Sequence, residues 1–232
     1  MSSIKKWALV AALAGAASVA NAQFSSTITA TNDYDFRGFS QSAKDPALQA
    51  SADYAFGESG WAIGAWASNV DFDNDADVEL DLYGGYTGTI NDNASWNAGL
   101  VYYAYPGSDD VDDYWEAYVG LALGPVGLKQ WYSDDLYNLG DSAFYTEANA
   151  SFPIGGETFS ILAHLGYSYG DAFDTAGDDV LDYSIGVGAS FYNFDFALKW
   201  VDTDTDLEVT DDVLNNEGRV IFTVATTLPW GE

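Results

Sequence analysis

The sequence predicts an all-β fold: a closed up-and-down antiparallel transmembrane β-barrel of about 12 strands, behind a cleaved leader. Three observations carry this. Apolar and polar residues alternate with period two along nearly all of the chain after residue 23. The connections between alternating runs switch between long acidic loops and short turns. The apolar faces of the runs hold no Asp, Glu, Lys or Arg. A basic residue facing lipid at mid-bilayer costs ~2–4 kcal/mol, and an acidic one less, so a lipid-facing surface excludes both.

Composition narrows the classes. Of 232 residues, 36 are Asp or Glu and 7 are Lys or Arg, for a net charge of -29. A phosphate backbone is repelled by such a surface, which excludes nucleic acid as a partner. The 48% hydrophobic and 16% aromatic content argues against disorder, because it supplies apolar surface to offset ordering entropy. With no Cys there is no disulfide framework, thiolate metal site or Cys nucleophile.

Residues 1–22 have the pattern of a secretory signal peptide. Lys5 and Lys6 precede an apolar run from Trp7 to Ala20, and Ala20-Asn21-Ala22 supplies small residues for cleavage before Gln23. The run has 14 residues, short of the ~20 needed to span a bilayer as a helix. The remaining 23–232 form one barrel domain. Its strands fall at roughly 27–39, 47–56, 61–72, 78–88, 94–105, 113–124, 126–134, 143–152, 158–169, 180–190, 194–201 and 217–228. At 78–87, for example, Val78, Leu80, Leu82, Gly84 and Tyr86 share one face, and Glu79, Asp81, Tyr83, Gly85 and Thr87 the other. Pro46, Pro106, Pro125, Pro153 and Pro229 all fall outside these runs, where a missing N–H breaks no ladder.

The connections separate into two sets. Those at 40–46, 73–77, 106–112, 135–142, 170–179 and 202–216 are long and acidic; those at 57–60, 89–93, 125, 153–157 and 191–193 are short. In an up-and-down barrel the two sets lie at opposite ends, as outer loops and periplasmic turns. Trp61, Tyr86, Trp96, Trp115, Tyr132, Phe152 and Trp200 flank the apolar segments, where amphipathic rings prefer the headgroup zone. A soluble sandwich with core aromatics is the competing architecture.

Several blocks carry a family likeness. They are Asn32-Asp33-Tyr34-Asp35-Phe36-Arg37-Gly38-Phe39-Ser40-Gln41 followed by Pro46-Ala47-Leu48-Gln49, and Gly64-Ala65-Trp66-Ala67-Ser68-Asn69-Val70-Asp71-Phe72. Shorter ones are Tyr103-Ala104-Tyr105-Pro106, His164-x-Gly166-Tyr167 and Asp182-Tyr183-Ser184. Together they resemble the TorF-type porin family of proteobacteria, long catalogued as conserved hypothetical proteins. The resemblance implies an outer-membrane barrel with a channel role. Its partners would be outer-membrane lipid and lipopolysaccharide, the barrel-assembly machinery and small solutes. Trp230 stands two positions short of the terminal place where such barrels commonly carry an aromatic assembly signal.

By strand parity the inward charges are Asp33, Asp35, Arg37, Asp53, Glu79, Asp81, Glu116, Lys129, Glu147, Asp182, Asp195, Lys199, Glu217 and Arg219. So many charges inside a barrel imply water or a tightly paired polar plug, since burying them unpaired costs several kcal/mol each. The expectation is a pore-lining set for passive diffusion of small solutes, with cation preference from the acidic excess. Arg37 and Arg219, on the first and last strands, are placed to pair with Asp35, Glu217 or Glu79 across the closure. The alternatives are a non-conducting structural or adhesive barrel, or a barrel enzyme acting on lipids.

No catalytic, cofactor or metal residue is assigned. The lone imidazole, His164, shares its face with Ser160 and Ser168, but four strand residues span ~13 Å. Any partner must come from a neighbouring strand: Glu147 or Asn149 on one side, Asp182 or Ser184 on the other. The runs Asp71–Asp77 and Asp202–Glu208 have calcium-loop spacing at their start, but lack the Gly at the sixth position and the Glu at the twelfth.

Overall fold

Alternation becomes a wall of hydrogen-bonded strands in the computed structural model, which describes residues 24–230 apart from 139 and 157. The strands are β1 (Phe24–Thr31), the short pair β2 (Asp35–Phe36) and β3 (Phe39–Ser40), then β4 (Ala47–Ala55), β5 (Trp61–Asn69), β6 (Val78–Asn91) and β7 (Ala94–Ala104). They continue as β8 (Tyr114–Leu123), β9 (Val126–Ser133), β10 (Ala143–Ile154), β11 (Phe159–Tyr169), β12 (Val180–Phe191), β13 (Phe194–Asp204) and β14 (Arg219–Leu228). A short helix, α1 (Asp171–Ala176), and a 3-10 turn at Leu136–Asn138 decorate two of the loops. All strands but β2 and β3 join in sequence order into one closed antiparallel barrel, and β1 pairs with both β4 and β14. Closure leaves no free edge, the condition for strands to sit in lipid. The predicted leader, 1–22, lies outside the described residues.

Alternation also sets what each side of the wall meets. Ile28, Leu48, Ile63, Leu100, Leu165, Ile185, Leu198 and Val220 all point outward and are exposed, a continuous apolar belt that water would not tolerate. Aromatic rings border it at both ends. At the turn end Trp61 meets Tyr86 edge to face, as Phe159 meets Phe191, and Tyr86 lies tilted against Trp96. At the loop end outward tyrosines donate to acids at the rim: Tyr102 to Asp113 (2.7 Å), Tyr167 to Asp179 (2.5 Å) and Tyr183 to Asp202 (3.1 Å). Each ring lies along the apolar belt while its hydroxyl reaches the polar zone.

Several strand boundaries differ from expectation, such as the end of β5 at Asn69 rather than 72 and of β13 at Asp204 rather than 201, and two differences bear on the lumen. The first wall strand ends at Thr31 rather than continuing to 39, and the last begins at Arg219 rather than 217. Asn32 explains the first difference. Its backbone N–H donates to Phe222 O, its Oδ1 accepts from Phe222 N, and its Nδ2 donates to Val220 O. The side chain thus completes the ladder with β14, and the main chain is free to leave the wall. It turns into the lumen as the β2–β3 hairpin, paired Phe36 to Phe39 across Arg37-Gly38. Both turn residues have positive φ (52° and 92°), the geometry of a two-residue hairpin turn. Asp33, Asp35 and Arg37 are therefore inside the barrel but not on its wall. Glu217 sits in the connection before β14 and is exposed.

Candidate functional site

The inward hairpin forms a strut across the lumen, held at both ends by ion pairs. At the near end, Arg219 on β14 donates through Nε to Asp33 (2.5 Å), through Nη2 to Asp35 (2.5 Å) and through Nη1 to Gly38 O (3.0 Å). At the far end, Arg37 makes a two-pronged pair with Glu116 on β8, at 2.9 and 2.6 Å. The planar guanidinium matches both carboxylate oxygens, the strongest form of this pair. Its faces are covered by aromatic rings: its carbon lies 4.3 Å from the Tyr145 centroid and 4.7 Å from that of Phe36. Tyr103 donates to Glu116 as well (2.9 Å), and Tyr34 of the strut donates to Glu79 (2.8 Å). The predicted Arg219–Asp35 pair is present. Arg37, by contrast, pairs across the barrel with Glu116 and not with a neighbour at the closure.

Beside the strut lies a second polar cluster. His164 on β11 has Nε2 at 2.7 Å from Asp182 and 3.0 Å from the Tyr145 hydroxyl, with Nδ1 at 2.7 Å from Asn149. Asn149 also donates to Glu147 (2.5 Å), which accepts from Trp131 Nε1 (2.8 Å). The backbone register makes this possible. Gly166 is paired with Glu147 on one side and Asp182 on the other, and a Cβ there would collide with the Tyr145 hydroxyl and the Asp182 carboxylate. The missing side chain lets groups from β10 and β12 meet over β11. The hydrogen bonds of His164 thus go to Asn149, Asp182 and Tyr145, with Glu147 at 3.9 Å.

Toward the turn end the inward charges are less enclosed. Asp53 accepts from Tyr83 (2.5 Å), whose ring lies over Gly64, and from Ser51 (2.9 Å). Asp195 accepts from Ser190 (2.5 Å). Lys129 lies 4.5 Å from the Tyr118 ring centroid, and Lys199 packs against Gly186. Between these groups and the strut is a cavity of about 190 Å³, lined by residues including Asp35, Arg37, Asp81, Glu147, Asp182 and Lys199. Sequence parity located the wall charges of this interior. It left out the rings that pack with them, Tyr103, Trp131 and Tyr145, although each has the same parity as the neighbouring charge.

The acidic loops are clipped to one another. Asp75 accepts from Ser108 Oγ (2.5 Å) and from the N–H groups of Asp109 (2.9 Å) and Asp110 (3.2 Å). These bonds, the Ser108 hydroxyl foremost, hold its carboxyl below the usual range. Asp178 accepts from Asp206 N (2.6 Å) and Thr205 Oγ1 (3.2 Å), and is lowered for the same reason. Among the described residues no group of three or more His, Cys, Asp or Glu is placed to hold a metal ion.

The sequence matches no curated protein. Among solved structures the barrel is similar to the KdgM porin, with a TM-score of 0.54 at 8% identity, over 88% of this chain and 97% of that one. It is similar too to the KdgM porin in complex with disordered oligogalacturonate, with a TM-score of 0.51 at 8% identity over the same shares. At such identity the likeness concerns the fold: a twelve-stranded transmembrane barrel of the porin type. A family model matches residues 14–228, nearly the whole chain, and the protein belongs to the family described as "Bacterial protein of unknown function (Gcw_chp)".

Proposed function

We propose that this protein is an outer-membrane channel for passive diffusion of small solutes, exported by a cleaved leader at 1–22. The observation that carries the proposal is the contrast across the wall: an apolar, aromatic-bordered outside around an interior that holds acidic and basic side chains and a cavity lined by several of them. The porin fold of the solved relatives supports it, as does the TorF-type signature at 32–49. The partners follow from that placement: outer-membrane lipid, lipopolysaccharide, the assembly machinery and small solutes.

Cation preference belongs to the same proposal. Arg37 is matched by Glu116, and Arg219 by Asp33 and Asp35. Among the described residues, Asp53, Glu79, Asp81, Glu147, Asp182 and Asp195 then share the lumen with Lys129, Lys199 and His164. A lumen with excess negative charge concentrates cations and repels anions. Single-channel recording of the refolded protein in planar bilayers under a salt gradient tests both parts. Discrete steps with a cation-favouring reversal potential are expected. An anion-favouring potential would overturn the charge argument, and a folded barrel that never conducts would overturn the channel.

One observation favours a second reading. The strut and the buried rings around it close much of the loop-end lumen, as suits a non-conducting structural or adhesive barrel. Conduction that appears only after Arg37→Ala would support that reading.

A further inference from the structure

Among the described residues Asp81 has no hydrogen-bond or ion-pair partner. It projects inward from β6, is only 4% exposed, and its Oδ1 is buried without a hydrogen bond. No salt bridge among the described residues reaches it. Asp182 also leaves one oxygen unpaired, but that oxygen lies against Gly166 in the wall, and its other oxygen is held by His164 and Tyr145. Asp81 lines the same cavity beside the strut with neither oxygen held. Arg37 and Lys199 line the same cavity, but among the described residues neither makes an ion pair with Asp81, and a buried carboxylate so placed is costly unless a proton or a bound cation completes it.

The surroundings say which kind of cation. In the ladder Asp81 is directly opposite Trp66 on β5 and Tyr103 on β7, so the two rings flank it on the inward face. The strut adds Tyr34, edge-on to Trp66 at 5.3 Å, and Phe36, edge-on to Tyr103 at 6.1 Å. All four rings line the same cavity. Glu79, the nearest carboxylate along the strand, is already engaged by Tyr34 and Tyr105. A metal ion needs several oxygen ligands around it, and this site offers one free carboxylate among π-faces. Aromatic rings around a single negative group are the recognition chemistry of an alkylammonium.

We propose that Asp81, Trp66, Tyr103, Tyr34 and Phe36 form a binding site for a small organic cation bearing a methylated or primary ammonium group. The site deepens the channel reading, in that it names a solute class for the same lumen. Binding is measured without ion flow, however, so the two stand or fall separately.

The test is isothermal titration of the full mature barrel, folded in detergent micelles, with choline chloride. Its neutral isostere 3,3-dimethylbutanol, sodium chloride and calcium chloride serve as comparators. Choline is expected to bind at least tenfold more tightly than the isostere, and to be displaced by neither salt at equal concentration. Asp81→Asn should weaken choline at least tenfold while leaving the isostere unchanged, and Trp66→Leu should weaken it severalfold. Asp195→Asn, farther toward the turn end, should bind as the parent does. Folding of each variant is checked by its heat-modifiable gel shift. Equal binding of choline and isostere, choline binding unchanged in folded Asp81→Asn, no binding at all, or tighter binding of calcium would each overturn the proposal. Conduction without choline binding would remove this site and leave the channel. Choline binding by a barrel that does not conduct would do the reverse.

Discussion

The lumen has two halves built from different residues on one continuous wall. Toward the acidic loops the inward positions are Tyr103, Tyr114, Glu116, Trp131 and Tyr145, all buried, with the strut packed among them. Toward the short turns they include Ser25, Ser51, Ala62, Gly64, Asn97, Gly99, Gly127 and Ser190, which stay partly open, beside the buried Ser160 and Ala225. Strand number, tilt and pairing are common to both. A twelve-stranded barrel lies between the filled eight-stranded type and the open sixteen-stranded type, so side-chain volume decides the free width at each level. Charge behaves differently in the two halves for the same reason. In the filled half a carboxylate must be paired or capped, as Glu116 and Glu79 are. In the open half water can share the work.

The sharpest way to break the contrast is Arg37→Ala. It leaves Glu116 buried beside Tyr103 without its cation, and loss of one partner of a buried pair costs about 3–5 kcal/mol. The midpoint of urea unfolding in micelles should fall accordingly, and conductance in bilayers should rise severalfold as the strut swings free. A smaller effect should come from paired glycine substitutions. Gly166→Ala forces a methyl into the Tyr145–Asp182 contact inside the filled half, an overpacking expected to cost about 1–3 kcal/mol. Gly64→Ala pushes on the Tyr83 ring, which has open lumen to move into, and should cost less than about 1 kcal/mol on the same scale. Equal losses in the two variants would show that the halves are equally tight.

Asp53→Asn addresses the open half. One of Tyr83 and Ser51 keeps the acceptor oxygen, and the Ser51 hydroxyl can accept from the new amide, so stability should change by about 1 kcal/mol or less. The cation preference should drop, as read from the reversal potential. The least effect is expected at the rim. Asp75→Asn weakens the clip between the 70–77 and 105–113 loops, and limited proteolysis of the second loop should speed up with no change in the barrel's unfolding. The sign with pH follows from the lowered carboxyl. The clip is intact above the ordinary Asp range and loosens only as pH falls through its depressed value, so acid below that range should mimic the variant.

Much of the wall was legible before any coordinates. A period of two with charge-free apolar faces leaves few options for Leu80, Leu82 and Leu198 other than a lipid-facing side, and parity alone then places Glu79, Asp81, Glu116, Lys129, Glu147, Asp182, Asp195 and Lys199 inside. The strut was not legible, because residues 32–39 also alternate. The strand ends where the Asn32 side chain takes over the ladder, and no local pattern distinguishes that Asn from one in a continuing strand.

What local sequence determines here is short-range: alternation chooses the face, turn residues choose the connection, and acid content chooses the loop end. Pairings between distant residues belong to tertiary structure alone. Arg37 and Glu116 are 79 positions apart, and Arg219 and Asp33 are 186 apart. Which carboxylate each arginine reaches depends on how the hairpin crosses the closed barrel. The same closure leaves Asp81 buried with neither an ion pair nor a hydrogen bond among the described residues, since Arg37 and Arg219 have been drawn to other acids.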